Sequence, residues 1–227
     1  MKLTFVLPVH NEQCNVAIAL RHLIRQSVPA EIIVIDDGST DATIRIVKEI
    51  IKDAPEDKKI IFIENPKRIG AAACRNMGNK LAEGDIIAVC DAEIYYKDRG
   101  KAILEFFESF PDKGFFYSAL HLKSAETHED IGEMPAIEWD FKSKCPISHP
   151  SVAYRKSVAM QFPYHEASLE TDLFEFMALD AHRGGVLFGG CQNPLLCKLE
   201  GNSNRDMMES KIVKQLKYEE YGIEVSL

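Results

Sequence analysis

Long apolar runs are missing from this 227-residue chain. No stretch approaches the roughly 18 residues that a bilayer-spanning helix needs, which excludes a membrane span. The opening Met1-Lys-Leu-Thr-Phe-Val-Leu-Pro8 is too short, and too soon broken by proline, for a secretory signal, so the expected localisation is cytoplasmic. Basic residues are in deficit: 27 Lys and Arg stand against 35 Asp and Glu, a formal charge of -8. That balance argues against nucleic acid or an anionic membrane surface as the main partner and suits a site that recruits a cation. No Cys-x-x-Cys pair occurs among Cys14, Cys74, Cys90, Cys145, Cys191 and Cys197. They are read as reduced thiols, neither a zinc site nor a disulfide framework. There is no G-x-G-x-x-G after the first apolar run and no G-x-x-x-x-G-K-[ST], so neither a dinucleotide fingerprint nor a P-loop is present. No internal repeat or low-complexity segment divides the chain, whose length fits one domain with two unequal halves.

What is present is a regular alternation of short apolar strands and amphipathic helices. Leu3 to Leu7 reads as a first strand stopped by Pro8. After the loop Pro8-Val-His-Asn-Glu12, with Asn11 as the expected cap, comes a helix carrying Val16, Leu20, Leu23 and Ile24 on one face. Ile32 to Ile35 is the second strand and runs into Asp36-Asp-Gly-Ser-Thr-Asp41, where Ser39 or Thr40 would cap a helix with Ile44, Val47 and Ile51 on one side. Lys58 to Ile63, a small-residue helix from Gly70 to Leu81, and a strand from Asp85 to Cys90 follow. This order predicts an α/β fold with a mostly parallel central sheet, helices on both faces, and ligands outside the carboxyl ends of the strands.

The strand ending at Cys90 is apolar throughout, as a central strand covered on both faces should be. It delivers Asp91-Ala-Glu93, and in an extended chain Asp91 and Glu93 point to one side while Ala92 points to the other. Two carboxylates there suit Mg²⁺ or Mn²⁺ holding a diphosphate. Beyond Glu93 the pattern predicts a helix over 98–109, one strand from Phe115 to Leu122, and a polar stretch from Lys123 to Lys144 that contains the only tryptophan, Trp139. Two readings of that stretch stand, a mobile flap or a surface loop. A helix opening near Ser168, a turn at Gly184, a strand Val186 to Phe188 and a tail helix from Arg205 to Tyr221 complete the chain.

Three of these segments together resemble family 2 glycosyltransferases of the GT-A fold, closely over the first 95 residues and more loosely over 148–204. They are Val6-Leu-Pro-Val-His-Asn-Glu12, Val34-Ile-Asp-Asp-Gly-Ser-Thr-Asp41, and Arg68-Ile-Gly-Ala-Ala-Ala-Cys-Arg-Asn76. The resemblance implies one GT-A domain over 1–227, with a nucleotide-sugar half (1–95), an acceptor and catalytic half (96–204) and a helical tail (205–227). It places the donor against Pro8, Val9, His10, Glu12, Asp36, Asp37, Arg68, Arg75, Asp91 and Ala92, with Asp37 toward uracil, and a divalent cation on Asp91 and Glu93. The family's D-x-D is here Asp91-Ala-Glu93, and the Q-x-x-R-W of processive members is absent, so the implied reaction is inverting transfer of one sugar from a UDP-sugar to a hydroxyl on a glycan, lipid-linked or protein acceptor. Alignment of Asp172-Leu173 with the family's D-L pair makes Glu170 the base, with Asp172 on the other shoulder of the same helix. His149 falls in the segment that lines the acceptor side; a structural histidine is the other reading. The rival functions are a non-catalytic nucleotide-sugar binding module and a sugar-phosphate nucleotidylyltransferase, the latter disfavoured because the loop after the first strand has no glycine.

Overall fold

The structure, a computed structural model, describes residues 1–124, 126, 127, 129–167, 169, 173–200 and 221, with the backbone alone for 199 and 200. The first half alternates as read: β1 (Leu3–Val9), α1 (Val16–Ile24), β2 (Glu31–Asp36), α2 (Thr43–Lys52), β3 (Lys59–Glu64), α3 (Ala71–Leu81) and β4 (Ile86–Val89). The second half contains β5 (Ile94–Tyr95), α4 (Arg99–Ser109), β6 (Lys113–Ser118), β7 (Leu120–Ser124), β8 (Asp130–Met134), a 3-10 turn (His149–Ser151), β9 (Ala153–Arg155), α5 (Lys156–Gln161), α6 (Phe174–Arg183), β10 (Leu187–Cys191) and β11 (Leu196–Glu200). Seven strands form the main sheet in the order β10-β6-β9-β4-β1-β2-β3, and four form a smaller sheet in the order β5-β11-β7-β8. β4 therefore lies at the centre of the main sheet and is buried along its whole length.

Each face of the main sheet has its own core. Leu3, Phe5 and Leu7 of β1 meet Leu20 of α1, Val47 of α2 and Phe107 of α4 on one side. On the other, Val6, Ile33 and Ile87 meet Ala72 of α3, Val158 of α5 and Met177 of α6. The arrangement is the expected one, a mostly parallel sheet between helices.

Five local expectations are corrected. β1 continues through Pro8 to Val9. Val6 C=O accepts from Cys90 N–H and Val9 C=O from Asp37 N–H, so alternate peptide groups face β4 and β2, and Pro8 falls in the set facing β4, which has already ended at Val89. Asn11 caps nothing: it sits at φ 53, with its Oδ1 accepting from Thr40 N–H, and α1 begins later, after Asn15. Neither Ser39 nor Thr40 caps α2; Asp41 Oδ1 accepts from Thr43 N–H instead. The run from Phe115 to Leu122 is two strands in two sheets, broken at Ala119, whose N–H turns to Cys191 C=O. α6 starts at Phe174, after Leu173 in the left-handed region (φ 48), and not near Ser168. The tail helix expected over 205–221 lies outside the described residues apart from Tyr221. The stretch from 123 to 144 is not simply polar surface: it contains β8, and Trp139 is only 4% exposed. Among the described residues, no helix is long and apolar enough to cross a membrane.

Candidate active site at the carboxyl edge of the sheet

The loops after β1 and β2 are laced together before any ligand is considered. Asn11 N–H donates to Ser39 Oγ, Glu12 N–H to Thr43 Oγ1, and Gln13 N–H to Asp41 Oδ2. His10 Nδ1 lies 2.8 Å from Asp37 C=O; since a carbonyl can only accept, Nδ1 carries the proton and the ring faces Asn11 with Nε2 as acceptor. Asp36, at the end of β2, folds its carboxylate onto Ser39 N–H three residues on, a side-chain bond that shapes the Asp36–Asp41 loop.

Asp37 joins that loop to the next. Its two carboxylate oxygens accept from Ile69 N–H (2.7 Å) and Gly70 N–H (3.0 Å), at the start of α3. Gly70 precedes that helix at φ 96, a backbone state glycine adopts without strain. Gly38 is needed for a second reason: at φ 67, a Cβ there would lie 2.8 Å from Arg68 N. Asp37 is 3% exposed, and its Oδ2 is 4.0 Å from Arg68 Nε. Burial, and behind it the Asp37 carboxylate, push the Cys74 thiol up to about 12.

The acid turn is held from several directions. Arg75, 3% exposed, donates to Cys90 C=O and to Asp91 Oδ1, the latter at 2.5 Å. The Tyr95 phenol accepts from Asp91 N–H at 2.7 Å and donates back to Asp91 C=O at 3.1 Å. Glu93 N–H closes a three-residue turn on Asp91 C=O. Asp91 and Glu93 therefore belong to a tight turn between β4 and β5, and the extended alternation expected for them is corrected: β5 has to leave the main sheet and pair with β11.

Arg99 is the anchor that sequence reasoning missed. It is fully buried and donates to Val89 C=O (2.8 Å) and Pro150 C=O (3.0 Å), with its guanidinium 4.7 Å from the Tyr95 ring centroid. One side chain thus ties the end of β4 to the segment carrying His149. The only signal in the sequence was an arginine at the first position of a helix, where a basic residue opposes the helix dipole. His149 Nε2 lies 2.8 Å from the Tyr164 hydroxyl, and its ring stacks on Phe174 at 4.6 Å. The structure therefore gives His149 a structural seat at the head of α6, close to the same edge. Arg68 reaches that side as well, donating to Leu169 C=O at 3.4 Å. Glu170 and Asp172 lie outside the described residues.

As a metal site, the turn offers two hard oxygen ligands, Asp91 and Glu93, of which Asp91 is 27% exposed at its side chain. Among the described residues, no group of three or more His, Cys, Asp and Glu converges. Two hard carboxylates are donors of the kind Mg²⁺ or Mn²⁺ takes, and phosphate oxygens and water would supply further positions.

Relatives bear on this geometry. The model of the glycosyl transferase family 2 matches residues 4–151. An uncharacterized glycosyltransferase of Haemophilus influenzae is 36% identical over 92 residues, 40% of this chain and 36% of that protein. In fold, the chain is similar to the S. aureus TarS 1-349 structure in complex with UDP-GlcNAc (TM-score 0.70, 17% identity, 92% of this chain and 61% of that one). It is also similar to the mannosyltransferase PcManGT from Pyrobaculum calidifontis in complex with GDP-Man and Mn²⁺ (TM-score 0.72, 18% identity, 95% and 61%). The chain spans less than two thirds of the length of each of these proteins. With the matched region running from β1 through the acid turn to the 3-10 turn at His149, the chain belongs to glycosyl transferase family 2.

Proposed function

We propose that this chain binds a nucleotide-diphosphate sugar, with UDP as the preferred nucleotide, and transfers one sugar with inversion to an acceptor hydroxyl. The observation that carries this reading is the gathering of the β1 loop, the β2 loop, the start of α3 and the acid turn at one sheet edge through His10, Asp37 and Arg75. The nucleoside is assigned to the His10–Asp37–Arg68 side, where Asp37 already orders the backbone against which a base would rest. TarS in complex with UDP-GlcNAc favours uridine, and PcManGT with GDP-Man makes guanosine the comparison to run. A divalent cation on Asp91 and Glu93 would offset the charge that develops on the leaving diphosphate. Arg75 holds the Asp91 carboxylate in place for that task, Tyr95 holds its backbone, and Arg99 holds Val89 C=O at the end of the preceding strand.

On the acceptor side, Glu170 is assigned as the base that takes the hydroxyl proton, with Asp172 as the residue to compare; His149, stacked at the head of α6, borders the acceptor. The division into a donor half (1–95), an acceptor half (96–204) and a tail (205–227) is part of the same proposal. One observation favours a second reading, a binding module without catalysis: Asp91 is already paired with Arg75. Release of UDP from UDP-sugars with Mn²⁺ and no acceptor separates the two. The transferase reading expects slow hydrolysis, competed better by UDP than by GDP. Glu170→Gln should keep UDP binding and lose transfer to an acceptor by orders of magnitude. Binding without any turnover supports the module, and a clear preference for GDP overturns the uridine assignment.

A further inference from the structure

A cavity of about 690 Å³ lies along edge strand β10, on the far side of β6 from the acid turn, and its volume is that of a small-molecule site. Among the described residues its wall includes the rings of Tyr117, Trp139, Phe141 and Phe188, with Glu138 and Gln192 beside them. Gly190 of β10 leaves the strand bare here, since a Cβ would meet the Tyr117 ring at 2.8 Å.

The loop over this cavity is built rather than loose. Asp140 Oδ1 accepts from Lys142 N–H, Ser143 N–H and Ser143 Oγ, and Trp139 Nε1 donates to Ser143 C=O at 2.9 Å. Gln192 exchanges two hydrogen bonds with the backbone of Ala136. Between these ties Phe141 stands at φ 58, an uncommon state for a bulky residue and one that persists where the surroundings impose it. That conformation lays its ring flat on His182 (3.7 Å, 2°) and close to Trp139 (4.5 Å) and Phe188 (4.9 Å). Strain retained to assemble a ring platform beside an open cavity is a mark of binding.

We propose that this cavity binds carbohydrate and serves as a distal subsite for the saccharide portion of the acceptor. A sugar has apolar C–H faces and a rim of hydroxyls: flat aromatic rings take the first, and a carboxylate and an amide such as Glu138 and Gln192 take the second. A hydrocarbon chain would strip water from Glu138 and Lys113 without giving either a partner. A phosphate group would find Lys113 opposed by Glu138. Ile147 also belongs to the wall, two residues before His149, so the cavity is walled in part by the segment that leads to His149. The acceptor role rests on the proposed transfer reaction; the carbohydrate chemistry rests on the cavity alone.

Trp139 is the only tryptophan, so its emission reports occupancy directly. The probes are a panel of neutral and N-acetylated di- to tetrasaccharides at millimolar concentration, a short-chain prenyl phosphate, and UDP with Mn²⁺. The expected result is a saturable emission change with at least one saccharide and none with UDP. Phe141→Ala should weaken that saccharide by about tenfold or more, as loss of an aromatic anchor does. Glu138→Gln, at an exposed position, tests the hydroxyl-binding part if Phe141→Ala proves too unstable on melting. No response to any saccharide, a response to prenyl phosphate alone, or saccharide binding unchanged in Glu138→Gln and in folded Phe141→Ala would overturn the proposal. UDP binding followed by calorimetry reads the donor side separately: intact UDP affinity with a silent Trp139 removes the subsite and leaves the transferase reading standing, whereas absent UDP binding removes the latter.

Discussion

Arg99 is the largest side chain fully buried in the structure, and no carboxylate pairs with it among the described residues. A buried charge is tolerated only when dipoles replace its water, and here the Val89 and Pro150 carbonyls and the Tyr95 ring do so. Arg99→Lys keeps the charge but cannot present a planar fork, so it should lower stability by about 1–3 kcal/mol in urea melts through carbonyls left unpaired. An unchanged midpoint would show that the fork is not what joins the acid turn to the His149 segment. At the turn itself, the phosphates of a donor and the carboxylates of Asp91 and Glu93 repel one another unless a cation stands between them. Chelation should therefore collapse UDP affinity in calorimetry, and Asp91→Asn should reduce it by about tenfold or more in Mn²⁺, which corresponds to about 1.4 kcal/mol. Affinity indifferent to chelator counts against the metal assignment. The types of residue at this turn were legible from the chain because a buried strand has few reasons to end in two acids. Their partners were not, since Arg75, Tyr95 and Arg99 reach Asp91 and its neighbours through packing that no spacing rule contains.

At the scale of elements, the strands of the first half were readable because each is a continuous apolar run, and the errors fell at the ends. Ser39 is a good capping residue by type, yet its hydroxyl accepts from Asn11 N–H, and Asp41 serves α2 instead. A cap is thus decided by which loop lies alongside as well as by local chemistry. Burial raises the Asp41 carboxyl, but hydrogen bonds from Thr43 and from Gln13 N–H outweigh it and hold the group below the usual range. A depressed value in the folded state gives stability that is complete above the unfolded value of about 3.9 and is lost as the pH falls below it. Asp41→Ala should cost about 0.5–2 kcal/mol at neutral pH. In thermal melts the difference from the parent protein should shrink on acidification below about pH 4. A difference that stays constant to pH 2 would mean that the charge plays no part. α6 shows the opposite case: apolar spacing extended it back to Ser168, but Leu173 in the left-handed region starts it at Phe174, because its side chain must turn into the core while Leu169 remains exposed.

For the molecule as a whole, the joint between the halves is β9, three residues that run antiparallel between β4 and β6. Phe115 and Ile87 both face Tyr154 across it, so the strands of the first and second halves share one sheet. A segment this short has no period to read, and its place follows only from partners far away in the chain. The same continuous core makes an alkaline prediction. Burial pushes the Cys74 thiol up to about 12 and raises that of Cys90, and burial holds the Tyr95 phenol well above its ordinary value. These groups stay protonated in the folded chain while an unfolded thiol ionises near 8.5. Folding stability should thus be complete below about pH 8.5 and decline as the pH rises toward 12, with a slope set by the protons the folded state retains. Urea melts from pH 7 to 10.5 measure it, and Cys74→Ala should flatten the slope; an equal decline in the variant would exclude this thiol as a source.

The sequence by itself determined the alternation of strands and helices, the central position of the strand ending at Cys90, and the family, because continuous apolar runs and short motifs are local properties that survive any packing. Tertiary structure alone decided that Asp91 and Glu93 share a tight turn instead of an extended strand, that Asp37 spans two loops, that Arg99 lies under both sides of the edge, and that Trp139 walls a cavity. The turn closes locally but is required by the pairing of β5 with β11, and the other three depend on contacts between residues distant in the chain, where the energy lies in desolvation and hydrogen-bond geometry that no single segment carries.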